Sequence, residues 1–71
     1  MQSWLEQARV LSGLSVEECA QALYQSEASY ICRENNPGIL TLDELRVLMT
    51  LFSREANSLV LDVLQELTPS R

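Results

Sequence analysis

The sequence predicts an all-α fold, a compact bundle of about five short helices forming a single domain over residues 1–71, and three observations lead there. Apolar residues recur at helical spacing along almost the whole 71-residue chain. Two capping boxes, "SVEE" and "TLDE", together with Gly13 and "NNPG", mark where helices start and stop. Nowhere does the chain alternate with the period of two that a half-buried strand requires, and it has no internal repeat or low-complexity segment.

Each element follows from local chemistry. Leu5, Ala8 and Leu11 fall along one stripe of a helix from about Ser3 to Ser12, with Trp4 beside the stripe as a core-edge anchor. Gly13 suits the place just past a helix end, where a left-handed backbone costs it nothing. Ser15 then caps a second helix and Glu18 reaches back to the Ser15 amide. Its inward residues are Cys19, Ala20 and Leu23, two of them small enough to let another helix approach. Ser26 caps a third helix running to about Asn35. "NNPG" ends it, because proline restricts the residue before it and glycine accepts a reversed backbone. Thr41 and Glu44 form the second capping box, opening a helix whose apolar face is Leu42, Leu45, Leu48, Met49 and Phe52. The last helix, within "SREANSLVLDVLQEL", turns Leu59, Val60, Val63, Leu64 and Leu67 to one wide face, and Thr68-Pro69 closes it. Leu61 falls off that face. A domain of about 60 residues buries only roughly 60% of its unfolded surface, so the stretch from about 55 to 67, with Leu61 and Leu64, is expected to be shared with a second subunit.

Composition excludes several classes of function. Five arginines, no lysine and ten acids give a formal net charge of −5. Nucleic-acid binding draws much of its affinity from cations that displace counterions, so strong general affinity for DNA is not expected. Without histidine or a C-x-x-C pair, a zinc site lacks ligands. Two reduced, partly buried thiols are expected at Cys19 and Cys32, with a single bridge between them as the alternative. The usual proton shuttles are missing, Glu17 and Glu18 diverge on their helix, and neither thiol has a partner base, so no enzyme, cofactor or metal is expected. No apolar stretch approaches the about 20 residues of a membrane span. "MQSWLEQARV" lacks the basic flank and apolar run of a signal peptide, and a soluble, cytoplasmic protein is the expectation.

The stretch "LSVEECAQALYQSEASYICREN" spaces two short helices around a tight turn, over residues 15–35. Arg9 followed by "VLSGLS", then "SVEECAQAL", Ser26, "EN" at Glu34-Asn35, "LTLDEL" and "MTLF" resemble in order and spacing the XRE family, the helix-turn-helix domains of the Cro and phage-repressor type. The resemblance runs from about Leu5 to Leu64. It implies a small transcriptional regulator that binds double-stranded DNA as a homodimer, with the third helix entering the major groove and recognition helices about one DNA turn apart. Carried over by position, Glu27, Ala28 and Ser29 face bases, and Gln25 and Ser26 lie near phosphates. Arg33 is the one cation of the motif, flanked by Arg9 and Arg46; Arg54 and Arg71 lie too far along to contribute. Three such arginines on phosphate would give a salt slope of about −2.7 per monomer, or about −5 per dimer.

The departures are chemical. Val16 stands where the family often has a phosphate-binding glutamine, Tyr24 where the turn often has glycine, Glu27 where the first exposed residue is often basic or polar, and the loop after the third helix, "NNPGI", carries no cation. Glu27 also has a plain role, since a carboxylate in a first helical turn is favoured by roughly 0.3–1 kcal/mol. An arginine on an acidic domain is commonly solvated or paired with a nearby acid. Two registers are open for the third helix: counting from Ala20 buries Tyr30, whereas matching "SYICR" to the family's Ser-Tyr-Ile-Ser-Arg run buries Ile31 with a one-residue shift in the turn. The second is preferred, because it buries the apolar residue and leaves Arg33 near the surface. Beside the DNA-binding regulator stands a second reading, an acidic protein-interaction module of the same fold (anti-repressor, antitoxin-like or assembly factor) that meets a basic protein partner. Arginines clustered on the recognition face favour the first, and a face held by Glu17, Glu27 and Glu34 the second.

Overall fold

The computed structural model describes residues 3–67, and among them five α-helices and one 3-10 turn follow one another. They are α1 (Trp4–Leu11), α2 (Val16–Ala22), α3 (Glu27–Asn35), the 3-10 turn Pro37–Ile39, α4 (Leu42–Leu51) and α5 (Arg54–Leu67). The side chain of Leu67, the closing pair Thr68-Pro69 and Arg71 lie outside the described residues.

Every α-helix begins on a hydroxyl. Ser3, Ser15, Ser26, Thr41 and Ser53 each accept a hydrogen bond from the amide three residues on, at 3.0–3.2 Å. In α2 and α4 the capping box is complete, with Glu18 and Glu44 accepting from the amides of Ser15 and Thr41. These bonds satisfy amides that a helix start leaves without a carbonyl.

α1 and α2 end in the same way. Past α1, Gly13 takes φ 70° and the Leu14 amide donates to the Arg9 carbonyl at 3.1 Å; past α2, Tyr24 takes φ 56° and the Gln25 amide donates to the Ala20 carbonyl at 3.0 Å. Both are left-handed helix closures, one on glycine and one on a tyrosine that is 96% exposed. Tyr24 thus accepts the left-handed backbone and the turn keeps its length.

That turn decides the register of α3. Tyr30 is fully buried and Ile31 is 43% exposed, so the preferred register, with Ile31 inside, is corrected. Preference for the more apolar side chain misleads here because the Tyr30 ring fills the space between α2 and α3 while its hydroxyl lies among polar groups.

The core is Leu5 and Ala8 of α1, Cys19 and Ala20 of α2, Tyr30, Leu45 and Leu48 of α4, Phe52, and Ala56 and Val60 of α5. Alanines at 8, 20 and 56 let backbones come close; α1 packs chiefly on α5 and α2 on α3. The Ser12 hydroxyl donates to the Ala8 carbonyl and accepts from the Ser53 amide, both at 2.9 Å, tying the end of α1 to the start of α5.

Four further expectations are corrected. Leu11 is 52% exposed, because steps of three fall short of a full helical turn and carry it around α1 away from Leu5. Leu42 is 82% exposed, standing in the first turn of α4 on the rim of an open groove. Gly38 takes no reversed backbone; it continues a 3-10 turn in which the Ile39 and Leu40 amides donate to Asn36 and Pro37. Cys19 is buried but Cys32 is exposed, and both are free thiols.

Between α1 and α3 lies an ion pair. Arg9 Nε donates to Glu34 Oε2 at 2.6 Å, with side chains 14% and 7% exposed, and the same guanidinium donates from Nη1 to the Leu14 carbonyl at 3.0 Å. The Tyr30 hydroxyl is buried near Glu34 and Cys19 without meeting hydrogen-bond geometry with either. The hydrogen bond that Arg9 donates to Glu34 raises the Arg9 pKa further, so Arg9 stays charged throughout.

Two outcomes follow. Breaking a buried pair by removing one partner costs about 3–5 kcal/mol, against roughly 4–10 kcal/mol for a domain of this size. Arg9→Met should therefore leave the protein at the edge of unfolding in urea titrations, and Arg9→Met with Glu34→Met should recover most of the loss; a single variant as stable as the parent would show that the pair contributes nothing. Tyr24→Gly removes left-handed strain of about 1–2 kcal/mol and adds unfolded-state entropy of about 0.4–1 kcal/mol. The net gain, about 0.5–1 kcal/mol, should appear as a melting temperature several degrees higher.

Candidate functional site

The α2–α3 unit is where the sequence places a binding surface. α3 turns Tyr30 and Glu34 inward, and its 100° step per residue then fixes the opposite side. There the exposed residues are Ala28, Ile31, Cys32 and Asn35, with Glu27 and Ser29 at the edges. This outer face holds two apolar side chains, a thiol and an amide. It has no cation.

The residues expected near phosphate are otherwise engaged. Gln25 is half-buried, and its Nε2 donates to Glu44 Oε2 while its Oε1 is buried without a partner. Ser26 is exposed, but its hydroxyl is the α3 cap. Glu27, Ala28 and Ser29 are all exposed, and the Ser29 carbonyl accepts from Arg33 Nη1 at 3.2 Å.

The expected arginines do not come together. Arg9 is inside, on Glu34. Arg33 Nε donates to Glu44 Oε1 at 3.2 Å and Oε2 at 3.3 Å, with the two side chains 22% and 17% exposed. Arg46 lies on α4, 3.8 Å from Asp43 and open to solvent. Arg54 is exposed at the start of α5. Of the carboxylates weighed against them, Glu17 and Glu27 are exposed whereas Glu34 is buried.

Glu44 is the hub that sequence reasoning read only as a cap. One carboxylate accepts from the Thr41 amide at 3.0 Å, from Arg33 and from Gln25, so it joins the start of α4 to both ends of the turn-and-helix unit. The Thr41 amide, then Arg33 and Gln25, hold its pKa below the ordinary glutamate value against the opposing effect of burial. The capping spacing was legible; the Arg33 partnership needed the fold. Glu34 and the outward Ile31-Cys32 pair were missed for one reason, the register, and the left-handed Tyr24 is the signal that would have found them.

Burial pushes the Cys19 thiol up, which keeps it protonated and a poor nucleophile. Burial, then Glu34, drives Tyr30 well above the usual tyrosine range. Among the described residues no group of three potential ligands converges on a metal-sized site, and no helix is long and apolar enough to cross a membrane.

The Glu44 network sets a pH dependence. Its folded pKa is depressed, so its contribution to stability is fully present above the unfolded carboxylate's pKa and is lost as pH falls through the folded value. In urea titrations from neutral pH downward, Glu44→Gln should flatten this part of the acid arm and lower stability at neutral pH. An acid arm identical to the parent's would remove Glu44 from the account.

Compared with family models, with curated proteins and with solved structures, the chain finds no significant match in any of the three.

Proposed function

We propose that this chain is a small regulatory helix-turn-helix domain of the Cro and phage-repressor type that acts through the exposed face of α3, with a protein as its ligand. One observation carries the choice of ligand: Ala28, Ile31, Cys32 and Asn35 face solvent with Glu27 at their edge, and no cation stands among them. A helix presented to DNA works against phosphates spaced along both strands and needs cations to displace counterions. Here Arg9 and Arg33 are held by Glu34 and Glu44, and net charge is −5. Apolar residues at 28, 31 and 32 follow the spacing by which an amphipathic helix enters a partner's groove. Glu17 and Glu27 beside them suit basic groups on that partner. The surface has no catalytic constellation, and the reading is regulation by occupancy. Two copies belong to it, joined through α5 at Leu61 and Leu64.

Duplex DNA is the second reading. What favours it is the short turn from Leu23 to Ser26 between α2 and α3, with the first turn of α3 open at Glu27, Ala28 and Ser29. That is the arrangement by which such a helix offers its first turn to base edges, and Glu27 would then accept from cytosine.

Fluorescence anisotropy against a pool of random duplex DNA, at low and at near-physiological salt, separates the two. The parent should not bind at either salt. Glu27→Lys with Ala28→Lys should gain salt-sensitive binding, with a slope of about −0.9 for each phosphate contact made. On the protein side, a photo-crosslinker attached at Cys32 should give a discrete heterologous adduct that Ile31→Glu abolishes. Salt-sensitive DNA binding by the parent, lost in Arg33→Ala, would replace the protein reading with the DNA one.

A further inference from the structure

α1 and α2 close in the same left-handed way, yet one closure stands on Gly13 and the other on Tyr24. Glycine holds such a backbone without strain, and a tyrosine does not. Nothing inside the fold offsets the difference: the Tyr24 side chain is 96% exposed and has no hydrogen-bond partner among the described residues. A ring that packs on nothing adds nothing to the core. The mount beneath it is firm, because the Tyr24 amide donates to the Gln21 carbonyl at 3.1 Å and the Gln25 amide to the Ala20 carbonyl at 3.0 Å. The Gln25 side chain then turns inward onto Glu44. The ring stands out from a fixed point between α2 and α3.

The charge on this part of the chain has one sign. From Val16 to Tyr30, which takes in α2, the turn and the first turn of α3, the charged residues are Glu17, Glu18 and Glu27, all of them exposed. Glu18 closes the α2 cap and Glu17 accepts from Gln21, which leaves Glu27, three residues past Tyr24, without a partner among the described residues. The next cation along the chain, Arg33, is held by Glu44. An open aromatic ring attracts a cation to its face, and carboxylates of the same surface draw that cation in. Tyrosine also offers a large contact area with few torsions to freeze, and a ring already fixed in place is ordered at lower entropic cost.

We infer that Tyr24 is the anchor by which this domain takes a cationic side chain, arginine or lysine, of its protein partner, the ring face receiving the cation while Glu17 and Glu27 supply the attracting charge. This rests on the protein-binding reading of α3 and adds to it a residue outside that helix and the chemical class of the group bound.

NMR titration of the full chain with tetra-arginine amide, and with tetra-citrulline amide as its uncharged isostere, tests it. The Tyr24 ring resonances should shift saturably with the first peptide and not with the second. Tyr24→Gly leaves the charge unchanged and should weaken tetra-arginine binding, followed by backbone amide shifts, by about two- to fivefold, while its melting temperature rises. Tyr24→Phe keeps the ring and should bind as the parent does. A tyrosine with a merely structural role would not give a variant that is more stable and binds less. Binding that Tyr24→Gly leaves unchanged is an effect of net charge and overturns the inference, as does a titration in which Tyr24 does not move. Either result leaves the α3 face to stand or fall on the Cys32 adduct and its loss in Ile31→Glu.

Discussion

The Arg9–Glu34 ion pair is the constraint on which the placement of α3 depends. Two charges inside a small protein are costly to desolvate, and their attraction repays the cost only when geometry is good and the remaining donors are used. Here Nε meets Glu34 at 2.6 Å and Nη1 meets the Leu14 carbonyl. The one guanidinium thereby fixes three things: the end of α1 from which it projects, the loop leading into α2, and the last turn of α3. Cys19 and Tyr30, both buried, lie near it. No disulfide or metal joins these segments among the described residues, so a salt link does in this chain what a covalent link does in many domains of its size. It also removes from the surface a cation that the sequence alone leaves free to meet phosphate.

What was legible in the sequence is what depends on near neighbours. Each helix start could be read from a hydroxyl and the residue three positions later, because capping is a contact within one turn. The ends at Gly13 and "NNPG" were equally local. What could not be read is which way a helix faces once packed. Leu11, Leu42 and Ile31 are apolar and exposed, whereas Glu34 is charged and buried; hydrophobicity alone ranks all four wrongly. The register of α3 shows why. It is decided by Tyr24, a residue with little intrinsic liking for φ 56°, and then by the core space beside Cys19 and Glu34 that the Tyr30 ring fills. The first is a local backbone choice and the second a tertiary one, and the outer face of α3 follows from both.

The same asymmetry governs the candidate site. Glu27, Ala28 and Ser29 are exposed, because the first turn after a cap is open in either register. Arg9 and Arg33 are drawn inward, because an arginine has reach, and in an acidic chain its destination is a carboxylate that the fold brings within range. Arg9 found Glu34 and Arg33 found Glu44. With those pairs made, the outer surface of α3 reads as apolar with an acidic edge.

Glu44 makes the two surfaces of the molecule one rigid object. It caps α4, whose Leu42, Leu45 and Arg46 line the groove, and its carboxylate also receives Arg33 of α3 and Gln25 of the turn. The exposed face of α3 and the groove side of α4 are therefore held in a fixed relation to each other. In the proposed two-copy form, that rigidity would set the distance and angle between two α3 faces. A ligand that presents two matching sites at that spacing gains through effective concentration, and one that presents a single site, or two at another spacing, does not. Selectivity in so small a domain need not reside in the few side chains of α3 alone. In the proposed pairing it would follow from where the second α3 is put, with Arg33 and Glu44 holding each α3 to its own α4.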